Sequence, residues 1–181
     1  MKDRPNDLIL LAGRILTVFL QAVMIFGGIV LVGVLGAIVL YRDSFLAEYV
    51  ADSGNAAATF PVAALLGVFA IGLVIVAALF VFFGNLRKII TTVGEGDPFQ
   101  PANADRLGQM GWLMLGVQLL FIPATAFGKK LAEIADEAKE ASMMVDSSLD
   151  VTGILLVVIL FILARVFRHG AAMRDDLEGT V

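Results

Sequence analysis

From Ile15 to Leu40 the chain runs 26 residues without a charge, and its most polar member is Gln21. Backbone polar groups in hydrocarbon must bond to one another, so such a stretch can only cross a bilayer as a helix, and roughly 20 apolar residues suffice. Three further stretches compete for the same fate. Phe60–Phe83 has 24 uncharged residues, and Met110–Phe127 has 18, with Gln118 and Pro123 inside it. Val151–Ala164 has only 14. It reaches spanning length by taking in Ser147–Asp150 at one end and Arg165–Arg168 at the other, since long Arg side chains snorkel to the headgroups. The pattern predicts an all-α, polytopic membrane protein: a four-helix bundle forming one membrane domain over 1–181, with spans at about 15–40, 60–83, 110–127 and 147–168. The first run is far longer than the roughly 7–15 residues of a cleaved signal, so it is expected to stay as an anchor.

Composition narrows the chemistry. Hydrophobic residues make up 59% of the chain and charged residues 17%, against about a quarter in soluble domains. With no Cys and one His, disulfides, thiol chemistry and multi-histidine metal sites are excluded. A net charge of -4 argues against direct nucleic-acid binding. None of the four runs holds an ionisable residue, which disfavours an ion-coupled transporter. The spans offer little to line a channel beyond Thr17, Gln21, Trp112, Gln118 and Thr125. No nucleophile–base pair or paired carboxylates stand at a workable spacing, so no enzyme activity and no catalytic, cofactor or metal residues are expected.

Lysine and arginine set the orientation. Lys2, Arg4, Arg14, Arg87, Lys88, Arg106, Arg165, Arg168 and Arg174 put nine on one side, and Arg42, Lys129, Lys130 and Lys139 put four on the other. Both termini are therefore expected in the cytoplasm, as four spans require.

The connecting segments carry their own signals. Tyr41–Thr59 reads as a short external connection with a turn at Asp52-Ser53-Gly54-Asn55, and Pro61 fits the first turn of span two. On the cytoplasmic side, Leu86-Arg87-Lys88-Ile89-Ile90 continues span two as a helix that should stop near Gly94, within Gly94-Glu95-Gly96-Asp97-Pro98. Pro101 can restart a helix at its first position. The glycines here do not form a phosphate loop: they follow a helix, and no Gly-Lys-Ser/Thr ending is present. Leu131, Ile134, Ala138, Ala141 and Val145 recur at steps of three and four, predicting an amphipathic external helix between spans three and four. It either packs across the external ends of the bundle or senses an external ligand. Span four is expected to continue as a helix to about Asp176, with His169 facing solvent or headgroups. Gly28, Gly33, Gly36, Gly67, Gly72, Gly111 and Gly116 suggest close helix packing. Gln21 and Gln118 lie six and eight residues into their spans, roughly 9 and 12 Å deep from the same side. An amide unpaired in hydrocarbon is costly, so an interhelical contact between the two is predicted.

The cytoplasmic segment and the tail together resemble a known family. Leu86-Arg87-Lys88-Ile89, Gly96-Asp97-Pro98-Phe99, Asn103-Ala104-Asp105-Arg106-Leu107, Ala164-Arg165-Val166-Phe167-Arg168-His169-Gly170 and the Thr180-Val181 ending are similar to patterns of the bacterial four-helix membrane proteins grouped as domain of unknown function 2975. The likeness in span arrangement extends over nearly the whole chain. Asp97 between glycine and proline, and the sparse positive charge after Arg174, depart from the family pattern. The resemblance implies no known activity. It does imply gene neighbours of the Xre type, small helix-turn-helix regulators, and hence a membrane partner for a cytoplasmic transcription regulator.

Asp97, Asp105, Asp175, Asp176 and Glu178 would offer acid to a basic DNA-binding surface, although a solvated acidic tail explains them equally well. The leading expectation is a non-enzymatic regulatory or sensory protein of the bacterial inner membrane. A structural or assembly subunit of a larger membrane complex comes second, and a small transporter or channel third. The partners that fit are the lipid bilayer, a helix-turn-helix regulator and a second copy of the chain.

Overall fold

The computed structural model of the chain describes residues 6–53, 62–132 and 150–178. These form five α-helices and no strand: α1 (Asn6–Leu40), α2 (Arg42–Ser53), α3 (Val62–Gly94), α4 (Pro101–Ala132) and α5 (Val151–Glu178). Four of them, α1, α3, α4 and α5, are long and apolar enough to cross a membrane. The 33 residues of α3 extend roughly 50 Å at 1.5 Å per residue, against a hydrocarbon core of about 30 Å. The helices therefore outrun the apolar stretches that announce them. Leu8, Phe19, Phe26 and Ile29 are exposed along α1, a surface that suits lipid and not water.

Local signals explain most helix ends. At the end of α3, Gly96 adopts φ +87°, a conformation that costs glycine little. Asp97 N–H donates to the Thr92 carbonyl at 3.0 Å and Gly96 N–H to the Val93 carbonyl at 3.1 Å. These are the two bonds of a Schellman cap, and they satisfy carbonyls the ended helix would leave bare. Pro101 opens α4 at the position where its missing N–H costs nothing. Asp150 caps α5: its carboxylate accepts from Thr152 N–H at 3.0 Å and Gly153 N–H at 3.1 Å, and its negative charge suits the helix N-terminus. The continuation of α3 past the apolar run, its stop at Gly94, the restart at Pro101 and the long last helix follow the sequence reading.

One element departs from it. The segment taken as a short external connection contains the helix α2. Turn residues cluster only at its far end, and Phe45-Leu46-Ala47-Glu48-Tyr49-Val50-Ala51 holds neither Gly nor Pro to break a helix. Asp43 in the first turn also complements the helix dipole. Gly54, Asn55 and Pro61 lie outside the described residues, as does nearly all of the expected external amphipathic helix. Leu131 of that pattern lies in the last turn of α4.

The chain divides into two compact units. The first holds the chain up to Ile25, Ala77–Gln118 and the chain from Leu149 onward. Its core joins Ile89 of α3, Leu107 and Met110 of α4, and Leu160 and Ala164 of α5, flanked by Phe82, Leu86, Val93, Met114 and Phe167. Gly111 lets Phe161 approach α4, and a Cβ there would stand 3.0 Å from the ring. The second unit holds Phe26–Val76 and Leu119–Ser148. In it Gly67 lies under the Phe127 ring, 2.9 Å from where a Cβ would sit, and Gly28 and Gly72 meet Val76 and Leu31 at ordinary contact distance. Gly33, Gly36 and Gly116, also expected at packing contacts, have no described neighbour within 4 Å of a built Cβ.

Candidate functional site

The first unit ends in a polar construction around the α3–α4 loop, Glu95–Gln100. Asn103, in the first turns of α4, is 0% exposed, which for an amide demands partners. Its Nδ2 donates to Thr92 Oγ1 at 2.7 Å and to the Pro98 carbonyl at 2.9 Å. Its Oδ1 accepts from the Arg106 guanidinium at 2.8 Å. Thr92 in turn donates to the Ile89 carbonyl at 2.9 Å, and Gln100 Nε2 donates to Asp97 Oδ2 at 2.9 Å. One buried side chain thus ties the end of α3, the loop and the start of α4 together. Lower down, Asn85 of α3 donates to Gln109 Oε1 of α4 at 3.2 Å.

The same loop is clasped to α5. The Phe99 ring lies on Gly170, so close that a Cβ there would stand 2.6 Å from Cδ1. It also packs on Phe167, with centroids 5.4 Å apart. Two ion pairs flank the aromatic contact. Arg168 meets Asp105 at 3.1 Å with both side chains well exposed, and Arg174 meets Asp97. The Gly96–Phe99 segment, the Asn103–Leu107 segment and the Phe167–Gly170 segment, separated by up to 74 residues in sequence, form one contiguous site. Each part has a mechanical reason. Gly96 turns the chain, Asn103 locks the turn, Phe99 is the latch and Gly170 is the notch that receives it.

The residues singled out from the sequence fare differently. Asp97 and Asp105 come to α5 and are occupied there by Arg174 and Arg168, so they belong to the clasp before they belong to any partner. Asp175 and Asp176 are exposed in the last turn of α5, and the side chain of Glu178 lies outside the described residues. Gln21 and Gln118 are both buried, but they do not pair with each other. Gln21 donates to the Phe80 carbonyl of α3 at 3.4 Å, and the Gln118 amide fills the space that a side chain at Gly153 of α5 would take. Each amide thus meets a different helix.

Sequence reasoning missed Asn103, Thr92 and the Phe99–Gly170 contact as a unit. The available signal was the only asparagine in the first turns of α4, one helical turn before Leu107 and so on the core-facing stripe. Arg168 and Arg174 were counted only for orientation, and their pairing with Asp105 and Asp97 was not foreseen.

No curated protein and no solved structure matches the chain. A family model described as "Protein of unknown function (DUF2975)" matches residues 45–181, a stretch that begins in α2 and takes in every residue of the clasp. With about three quarters of its length matched, the chain belongs to the DUF2975 family.

Proposed function

We propose that the chain is a non-enzymatic regulatory protein of the bacterial inner membrane that acts on a small cytoplasmic helix-turn-helix regulator through the clasp and the adjoining end of α5. The single observation that carries this reading is the convergence of the polar motifs on one latch between the α3–α4 loop and α5. Much of the exposed surface of α1 and of the first half of α5 is apolar and suits lipid. The nine-to-four cation split supports a cytoplasmic position for this end.

The charge arrangement suggests how such a protein would work. Asp97 and Asp105 are held by arginines of α5, and exposed ion pairs of this kind contribute only about 0–1 kcal/mol. A basic DNA-binding surface presents the same guanidinium and ammonium groups and competes for the same carboxylates. With the clasp open, Asp97 and Asp105 become available to it. Holding the regulator at the membrane then competes with DNA.

Capture from native membranes tests the reading. Reversing Asp175, Asp176 and Glu178 to Lys should weaken capture of the regulator, more so at low salt, since exposed charges act through long-range attraction. Releasing Asp97 and Asp105 with R168Q/R174Q should strengthen it. Unchanged regulator binding and unchanged target-gene output in the triple reversal, with the protein at normal levels, would overturn the proposal. The assembly-subunit reading would then take its place.

A further inference from the structure

A groove of about 640 Å³ opens beside the latch, lined by Phe99, Arg165, Val166, His169, Gly170 and Met173. Its volume lies in the roughly 300–1,000 Å³ range of small-molecule sites. Its walls are of two kinds. Phe99, Val166 and Met173 are apolar, and Arg165 and His169 stand one helical turn apart on the same face of α5. Among the described residues, no carboxylate lines it. The neighbouring acids Asp97 and Asp105 are engaged by Arg174 and Arg168, and Arg165 has no carboxylate partner among the described residues. Arg165 is also the first charge after the uncharged run Val151–Ala164, the level at which a spanning helix meets phospholipid headgroups.

We infer that this groove binds the headgroup of an anionic phospholipid. Arg165 takes the phosphate through paired N–H donors, the geometry for which guanidinium is suited. His169 adds a donor that it possesses in either charge state. The glycerol and upper acyl chains lie along Val166, Met173 and the Phe99 ring. Phe99 is both the latch of the clasp and a wall of the groove, so an occupied groove braces the loop against α5. This goes beyond the proposed partner function and does not depend on it.

Native mass spectrometry of the full-length protein, titrated with phosphatidylglycerol or with phosphatidylcholine of the same chains, tests the inference. The first phosphatidylglycerol should bind about tenfold more tightly than phosphatidylcholine. R165Q should bring that preference below about threefold, a loss of at least about 0.7 kcal/mol. H169Q should lower it by a smaller factor, and R14Q, which removes a cation at another helix, should leave it intact. The near-UV signal of Trp112 checks that R165Q is folded. Equal affinity for the two lipids in the wild type, or a full preference retained in R165Q, would overturn the assignment. Displacement of the lipid by millimolar inorganic phosphate would also overturn it, because the groove would then read a soluble phosphate.

Discussion

Removing the Asn103 side chain is the sharpest test of the site's construction. Asn103→Ala deletes two bonds between neutral groups, to Thr92 and to the Pro98 carbonyl, and one to the Arg106 guanidinium. Bonds between neutral groups contribute about 0.5–1.5 kcal/mol each and a charge-assisted one about 1.5–3 kcal/mol. Arg106 is only half-buried, so water recovers part of the last term. A loss of about 2–4 kcal/mol follows, a large share of the roughly 5–15 kcal/mol that holds a domain folded. Values from soluble proteins apply, because Asn103 precedes the uncharged run that begins at Met110.

Asn103→Asp separates the contributions. Its carboxylate serves Arg106 at least as well, but it has no N–H for the Pro98 carbonyl and sets oxygen against oxygen there. It should cost at least as much as alanine. Unfolding of the full chain in mixed micelles, followed through Trp112, reads both variants. Trp112 is the sole tryptophan, and its ring packs on Phe161 at 5.3 Å within the same unit. An alanine variant within about 0.5 kcal/mol of wild type, the range of inconsequential surface changes, would refute the lock. So would an aspartate variant milder than alanine, since the pair with Arg106 would then outweigh the bonds to the loop.

Three further outcomes are expected. Gly170→Val should displace the Phe99 ring and cost about 1–3 kcal/mol, and most of that cost should vanish in an F99A background, as a double-mutant cycle on unfolding would show. Gln21→Leu should cost only about 0.6 kcal/mol, the average for a polar contact between membrane helices, and should combine additively with Gln118→Leu; coupling above about 0.5 kcal/mol would mean that the two amides meet after all. Reporter fusions within 94–100 and after Arg174 should lie in the cytoplasm, and fusions near Asp52 and Asp136 outside. An external C-terminus would defeat the orientation drawn from the cation split.

The sequence by itself determined that α1, α3, α4 and α5 are long and apolar enough to cross a membrane, and it placed the stop of α3 and the start of α4. Insertion is a local property: the lipid tests each window of about 20 residues for charge, and the backbone must then form a helix. A cap at Gly96 or a first-turn proline at Pro101 is settled by the few residues beside it. It left α2 unread, because a helix of 12 residues that does not span the bilayer gives no comparable signal. Only the tertiary structure decided which polar residues meet. Asp105 and Arg168 are 63 residues apart, and Asp97 and Arg174 are 77. The rotation of α5 that brings Arg174 to the loop and Arg168 to the start of α4 goes with packing at Gly111, Gly153 and Gly170. Lipid tails are as apolar as leucine, so no hydrophobic force chooses helix partners inside a bilayer. The choice falls to the shape of small residues and to a few polar bonds between residues remote in sequence, and such contacts exist only once the helices have packed.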